Sequence, residues 1–290
     1  MSKRFSIIAL LATCFALTGC AVKQGNQEEA KQEERIAVTS VAVLQILDAL
    51  EVDNVVGVPK TESEIPDRYK EVEQIGAPMS PDLEVLATVS PTIVLSPISL
   101  EGDLKQKYEG AGLDSYFVNL DSVEGMYSSI AELGKRFGKE EKAEELVKQY
   151  ESWAEEQKKK QESREEKSVL ILMGLPGSYV VATEHSYIGN LVALAGGKNC
   201  YEGQSEEDFI NVNTEDMLKK NPDVIIRTSH AMPEQVMEMF KKEFSENDIW
   251  KHFEAVKNKQ VFDLTSTDFG MSSNLNYAKA VEEVEGYLYP

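Results

Sequence analysis

The side chains of this sequence that could bind a metal or act as a catalytic base are few and widely spaced. It contains three histidines and three cysteines, namely His185, His230, His252, Cys14, Cys20 and Cys200. A bare zinc or manganese site normally draws on several converging histidines and carboxylates, and the sequence has no such cluster. It also lacks a Ser-His-Asp order, a glycine-rich nucleotide fingerprint and a zinc-protease helix motif. We therefore do not expect an enzyme.

The three histidines differ in their surroundings. His230 follows a β-branched run that predicts a strand, and a histidine there either lines a cleft or binds a metal. His185 lies in residues 182–187, which we expect to border a cleft. His252 follows Trp250 and is expected on the surface or in packing contacts.

Cys20 ends a secretory signal. Residues 1–19 combine Lys3 and Arg4 with an apolar run and small residues, and the run is too short to span a bilayer permanently. Leu17-Thr18-Gly19-Cys20 resembles the bacterial lipobox, so Cys20 is predicted to be the lipidated, palmitate-bearing first residue of the mature chain. Residues 20–34 then form a flexible tether to the membrane. The alternative is an ordinary cleaved signal with a chance cysteine.

The charge balance limits the partners of the mature chain. The formal net charge is −20, which argues against nucleic acid and against broad adhesion to anionic lipid. We expect a monomer that meets the membrane through its lipid anchor only. Cys200 is the one cysteine left after processing and acylation, so no disulfide within the chain is expected.

A weak internal repeat organises the folded part. Residues 80–96 read as a capped helix, a proline turn and a buried strand, and residues 213–227 follow the same order. In each copy a glutamate stands seven residues before the proline. We expect Ser80 to cap the first helix, with Pro81 at its first position. The repeat predicts two α/β units of similar plan.

Helical periodicity predominates between these units. Apolar spacing predicts a helix over residues 126–137 that Gly138 ends, and a second from Glu140 to about Gln161. The second helix would span about 33 Å, enough to bridge two lobes. The expected class is α/β, with two α/β lobes joined by a single long helix. The predicted segments are an N-terminal lobe over 35–122, a linking segment over 123–163 and a C-terminal lobe over 164–290.

Together these features resemble the solute-binding lipoproteins that serve ABC importers of iron complexes and cobalamin. Residues 191–199 and 253–261 look like two recurrent segments of that family, and the likeness runs from about Ile36 to the C-terminus. The resemblance implies a fold like that of the class III periplasmic binding proteins, and an ABC permease as partner.

Two shorter segments resemble one particular group of lipoproteins within this family. Residues 76–81 place Met79 before the first repeat helix, and residues 227–233 place His230 beyond the second repeat strand. Both are similar to the haem-receptor lipoproteins of the Gram-positive iron-regulated surface determinant systems. The resemblance implies that Met79 and His230 are the axial ligands of one six-coordinate haem b, and such a donor pair is established. A methionine that fills a core and a histidine that lines the cleft are the alternatives.

Haem also carries two propionates. Residues 39–42 predict the start of a helix capped by Thr39 or Ser40, whose first N–H groups favour a carboxylate. The resemblance implies propionate contacts from Ser40, Val41, Ala42, Lys60 and Thr61. Simple capping and a solvated lysine are the alternatives.

The resemblance also implies docking and delivery. In this family an exposed glutamate on each lobe meets arginines of the permease, and Glu101 and Glu234 are the candidates because each lies shortly beyond a repeat strand. The implied function is extracytoplasmic haem binding at the cell membrane of a Gram-positive bacterium. The haem would come from upstream haem-donor surface proteins and pass to an ABC importer for iron acquisition.

Two alternatives remain. The first keeps the fold and changes the ligand to a ferric siderophore or cobalamin. Siderophore sites usually gather arginines or aromatic residues, and Arg227 is the only arginine close to His230 in the sequence. The second is a chelatase-like or nitrogenase-like enzyme in the same fold, for which the sequence shows neither a Ser-His-Asp order nor a carboxylate pair.

Overall fold

Apolar runs rich in valine and isoleucine alternate with amphipathic helices from Ile36 onward, which is the pattern of an α/β fold. The computed structural model of the protein describes residues 34–265 and 267–290. The predicted signal peptide, Cys20 and residues 21–33 of the predicted tether lie outside the described residues.

The secondary-structure elements fall into three groups. The first comprises β1 (Ile36–Val38), α1 (Val41–Ala49), β2 (Val55–Gly57), β3 (Gly76–Ala77), β4 (Ser80–Pro81), α2 (Leu83–Val89), β5 (Ile93–Pro97), α3 (Glu101–Gly110) and β6 (Ser115–Val118). Two helices follow, α4 (Val123–Phe137) and α5 (Glu140–Gln161). The last group comprises β7 (Lys167–Leu175), β8 (Ser178–Ala182), α6 (Tyr187–Leu194), β9 (Gly197–Asn199), β10 (Phe209–Ile210), α7 (Thr214–Lys220), β11 (Val224–Ser229), α8 (Pro233–Glu246), α9 (Glu254–Lys257), β12 (Val261–Leu264) and α10 (Tyr277–Leu288).

The first group is built on a four-stranded parallel sheet in the order β2-β1-β5-β6. Every residue of the central strand β1 is buried, and α1 packs its apolar side, including Leu44 and Leu47, into the same core. Since all four strands run in one direction, their carboxyl ends share one edge of the sheet. We call this group the N-terminal lobe.

The last group is built on a six-stranded sheet in the order β10-β8-β7-β11-β12, with β9 also paired to β7. Strands β7, β9, β11 and β12 run parallel, and β8 pairs antiparallel with both β7 and β10. The carboxyl ends of β7, β11 and β12 therefore share one edge. We call this group the C-terminal lobe.

The internal repeat of the sequence is a structural repeat. Helices α2 and α7 each have seven residues and end at a left-handed residue, Ser90 (φ 45°) and Asn221 (φ 44°). A proline follows each, and then β5 or β11, the strand beside the centre of its sheet. The prediction of two similar α/β units is confirmed.

The predicted start of the first repeat helix is wrong. Ser80 and Pro81 form β4, which pairs with β3 in a short hairpin, so they cannot open the helix. Asp82 is the N-cap instead, and its carboxylate accepts hydrogen bonds from the N–H groups of Glu84 and Val85. Asn213 caps α7 at the matching position of the second copy.

The linking helices follow the prediction closely. Helix α4 ends at Gly138, whose φ of 68° is left-handed, and α5 runs for 22 residues. The rings of Tyr127 and Tyr150 stack at 4.4 Å, and Tyr277 of α10 meets both edge-on. One apolar core thus contains side chains of both sheets and of the linking helices.

The fold is α/β, with two lobes joined through α4 and the long helix α5, as predicted. The predicted segment boundaries fall between β6 and α4 and just before β7, and they stay predictions.

Candidate ligand-binding cleft

The carboxyl edge of the N-terminal sheet presents the start of α1. Thr39 is buried and donates its hydroxyl to Ser96 Oγ at 2.9 Å, so it does not cap the helix. Ser40 occupies the N-cap position with extended backbone, but its side chain makes no capping hydrogen bond to the described residues. The first N–H groups of α1, at Val41 and Ala42, therefore lack the usual capping acceptor and suit an anionic group.

This helix start lies at a cleft between the lobes with a volume of about 580 Å³. The N-terminal lobe lines the cleft with Val41, Ala42, Gln45, Glu62, Ser63 and Glu64. The C-terminal lobe lines it with Asp268, Gly270, Met271, Ser272, Asn274 and Asn276. A cleft of this size at the carboxyl edges of α/β sheets is where such folds bind small molecules.

Met79 projects from the N-terminal lobe. Pro78 and Met79 form the two-residue turn of the β3–β4 hairpin, and the Met79 residue is 62% exposed. The hairpin depends on Gly76, because a Cβ on that residue would lie 2.7 Å from the Asp82 nitrogen. The Gly76 carbonyl also accepts from the N–H of Lys60 at 2.8 Å, which ties the hairpin to the segment after β2.

His230 lies at the corresponding edge of the C-terminal lobe. It follows β11 directly, and its backbone N–H donates to the Gly174 carbonyl of β7 at 3.1 Å. The His230 residue is exposed. Met79 and His230 thus belong to different lobes, and each is carried by a segment that is hydrogen-bonded to its neighbour.

Arg227, three residues before His230, forms an ion pair with a residue of the neighbouring strand. Its guanidinium pairs with the Asp263 carboxylate through two N–O contacts of 2.6 and 2.9 Å, and it lies 4.6 Å from the ring centre of Phe244. Arg227 is only 8% exposed. It is therefore not available to bind an anionic ligand.

The residues predicted to meet the propionates divide into two groups. Val41 and Ala42 line the cleft, whereas Ser40 is adjacent to them. Lys60 is exposed, and the hydroxyl of Thr61 accepts from the N–H of the cleft-lining Ser63 at 3.1 Å. Their contact with a ligand stays a prediction.

The two glutamates predicted to dock a permease occupy equivalent places. Glu101 begins α3 after β5, and Glu234 lies in the first turn of α8 after β11. Glu234 is exposed, and Glu101 pairs with Lys105 at 2.6 Å. Each therefore stands near the carboxyl edge of its sheet, and their docking role stays a prediction.

Sequence reasoning missed the part of the cleft formed by residues 268–276. Their composition of Gly, Ser and Asn between β12 and α10 predicts a loop, which is a weak signal for a ligand-facing segment. Sequence reasoning also gave no sign that the pKa values of two acidic residues, Asp121 and Asp208, are raised. Burial, with Asp208 adding repulsion, raises the pKa of Asp121, and burial raises the pKa of Asp208 against the opposing effect of His185.

The remaining histidines are His185 and His252. The backbone N–H of His185 donates to Thr183 Oγ1 at 3.2 Å, and its imidazole Nε2 lies 3.7 Å from Glu184 Oε1. His252 is exposed in a short 3-10 helix, as expected for a surface residue.

Residues 34–265 and 267–290 hold no group of three or more His, Cys, Asp and Glu placed to bind a bare metal ion. Within the same residues, every helix is too short or too polar to cross a membrane.

Comparison with known proteins agrees with this fold. Residues 36–267 match the family model described as periplasmic binding protein. The high-affinity heme uptake system protein IsdE of Staphylococcus aureus strain Newman is 40% identical over 281 residues, which cover 97% of this chain and 96% of IsdE.

Two solved structures are similar over most of the chain. An ABC transporter substrate-binding protein from Listeria monocytogenes EGD-e matches with a TM-score of 0.84 at 43% identity, over 89% of this chain and 99% of that one. S. aureus IsdE complexed with heme matches with a TM-score of 0.83 at 42% identity, over 89% and 100%. Two lobes, a cleft at their sheet edges and a family match across 36–267 lead to one conclusion, that this chain belongs to the periplasmic binding protein family.

Proposed function

We propose that this protein is a membrane-anchored, haem-binding lipoprotein that delivers haem to an ABC importer for iron acquisition. The observation that carries the proposal is an exposed methionine on one lobe and an exposed histidine on the other. Met79 is 62% exposed at a hairpin tip, where it contributes nothing to the core. A single exposed apolar side chain is ordinary on a protein surface, so the weight rests on the pairing of Met79 with a second metal-donor side chain, His230, on the other lobe.

The donor types fit haem as cargo. A thioether and an imidazole are an axial pair for haem iron, and haem presents two opposite faces to two ligands. Met79 from the N-terminal lobe and His230 from the C-terminal lobe would supply one ligand each, which makes the iron six-coordinate. The similar protein IsdE, which is named for heme uptake and was solved in complex with heme, supports haem as the cargo.

The start of α1 fits the propionates. Val41 and Ala42 line the cleft at a helix start that has no capping side chain from Ser40, and the helix dipole favours negative charge there. Lys60 and Thr61 lie just before cleft-lining residues and add a cation and a hydroxyl. These five residues would hold the carboxylate edge of haem b.

The siderophore alternative is disfavoured by Arg227. A ferric siderophore is usually an anion that arginine side chains gather, but this guanidinium is buried and fully engaged by Asp263. Glu62 and Glu64 also place negative charge at the cleft.

The predicted Cys20 lipid anchor would keep the protein on the outer face of the cell membrane. Surface haem donors would load it there. Glu101 and Glu234 would then dock the loaded protein, as a monomer, on the permease.

The visible spectrum of the protein with haemin tests the cargo. We expect a low-spin, six-coordinate spectrum, which both His230→Ala and Met79→Ala abolish. The histidine variant should lose more affinity, because imidazole is the stronger donor to ferric iron.

His252→Ala is the matched control, since it removes an exposed imidazole far along the chain from β11. Its spectrum should equal that of the wild type. An unchanged Soret band when haemin is added to the wild type would reject haem as the cargo.

A further inference from the structure

The cleft between the lobes is lined mostly by polar residues and has few apolar side chains. Carboxylates of Glu62, Glu64 and Asp268 line it, together with amide and hydroxyl side chains. Its large apolar side chains are Val41 at the start of α1 and Met271 on the opposite lobe.

Met271 is exposed, and hydrogen bonds hold the loop that carries it. It is 39% exposed, one of four large apolar residues of the described chain with such exposure. Its loop is held by the Ser273 N–H, which donates to the Leu120 carbonyl at 2.8 Å, and by Asn276 Nδ2, which donates to Asp268 Oδ1 at 3.1 Å. Because Leu120 follows β6, the first of these bonds ties the loop to the N-terminal lobe.

A partly exposed thioether at the wall of a cleft gives an apolar ligand a surface to cover, and covering it is favourable. The hydrogen bonds that hold its loop also lower the entropy that binding must lose. The ligand that fits is flat and apolar where it meets Met271, and anionic where it meets the start of α1.

From this arrangement we propose that Met271 is a porphyrin-contact residue that grips the macrocycle independently of the iron. The inference rests on the proposed haem function and adds a contact to it. Met271 packs on the ring close to its propionate edge, since Val41 and Ala42 of the same cleft belong to the helix start that suits those carboxylates.

The negative charge of the cleft makes this apolar contact important for ligand binding. Glu62 and Glu64 repel the propionates and offset part of what the α1 amides and Lys60 contribute. Burial of ring area against Met271 does not depend on charge, and it secures the ligand even when no metal is present.

The test compares haemin with metal-free protoporphyrin IX, whose binding needs neither Met79 nor His230. Absorbance titrations measure haemin, and fluorescence titrations measure protoporphyrin IX. Met271→Gln keeps the length of the side chain but makes it polar, so we expect about tenfold weaker binding of both ligands. Met271→Leu keeps the apolar contact without sulfur and should bind both within about twofold of the wild type.

The outcomes separate the inference from the function. The low-spin haem spectrum should persist in both variants, because neither change touches an axial ligand. If Met271→Gln binds both ligands like the wild type, or Met271→Leu loses as much as Met271→Gln, the contact is rejected and the haem function stands. If wild-type protein binds haemin but no protoporphyrin IX, an iron-independent grip is likewise rejected. A wild type that does not bind haemin rejects the haem function as well.

Discussion

The guanidinium of Arg227 and the carboxylate of Asp263 form a two-point ion pair across β11 and β12, with N–O contacts of 2.6 and 2.9 Å. The pair joins Cα-paired residues of adjacent parallel strands just before both chains leave the sheet toward the cleft. It therefore fixes the edge from which His230 projects, and it also keeps an arginine away from the ligand.

Removal of Asp263 should destabilise the protein. Asp263→Ala leaves the nearly buried Arg227 cation without its partner, and we expect a loss of about 2–4 kcal/mol in the free energy of unfolding. Urea denaturation followed by circular dichroism measures it. Glu144→Ala breaks the exposed Glu144–Lys148 pair and is the control, for which the urea midpoint should not move measurably. Equal midpoints for the two variants would contradict this role of the pair.

The two repeat helices should depend equally on their caps. Asp82→Ala and Asn213→Ala each remove the side chain that accepts the first amides of a seven-residue helix, so each should cost about 1 kcal/mol. Ser80→Ala should cost much less, because Ser80 belongs to the hairpin. Thermal unfolding of the three variants compares them, and a larger effect from Ser80→Ala would restore Ser80 as the cap.

Periodicity and helix stop signals predict the regular part of this fold well. Helix α5 spans the range that its apolar spacing predicts, and Gly138 ends α4 as expected. Such elements are determined by local preference and one apolar face, both of which the sequence displays directly.

The rest depends on pairing between distant segments. Serine is a favoured helix cap, but the pairing of Ser80–Pro81 with Gly76–Ala77 places Ser80 in a strand instead. Only an alignment of the two repeats would have suggested Asp82 as the cap. The local signal for Met271 is limited to the loop-forming composition of residues 268–276. Its place in the cleft follows from the approach of residues 268–276 to residues 41–64, two segments more than 200 residues apart in the chain, which local patterns do not encode.

Stability should depend on the ionisation of Asp121. Burial and the nearby Asp208 raise the pKa of its carboxyl above the ordinary 3.8. A folded-state pKa above the unfolded value means that this group favours the folded state most below pH 3.8, and that the benefit is lost as the pH rises through the folded value. Asp121→Asn should therefore be more stable than the wild type at pH 7, and the difference should shrink toward pH 4.

Urea midpoints measured from pH 4 to pH 8 check the prediction for Asp121. Asp67→Asn is the control with the opposite sign, since Lys70 holds the pKa of the exposed Asp67 carboxyl below its ordinary value. A wild type and Asp121→Asn with parallel pH profiles would show that the Asp121 charge has no cost.

Lys60 should act on the propionates alone. Lys60→Ala removes a cation beside the cleft and should weaken haemin binding about threefold, the scale of one partly exposed charge contact. It should leave the binding of haemin dimethyl ester unchanged, because the ester has no carboxylates. Lys107→Ala, on α3, removes another exposed lysine and is the matched control. A Lys60→Ala variant that loses affinity equally for acid and ester would place this lysine elsewhere on the ligand.

Docking should depend on two glutamates and on salt. Glu101 and Glu234 each lie in the first turn of the helix after a repeat strand, so both stand near the edge that bears the cargo. Glu101→Ala and Glu234→Ala should each weaken binding to permease vesicles about threefold to tenfold, with haemin affinity unchanged. Added salt should weaken wild-type docking more than docking of the double variant, since exposed charge pairs are screened beyond about 8 Å at physiological ionic strength.

Glu109→Ala and Glu246→Ala remove acids from the far ends of the same two helices, and they should dock like the wild type. If these two lose as much as Glu101→Ala and Glu234→Ala, docking responds to overall charge rather than to the sheet edges.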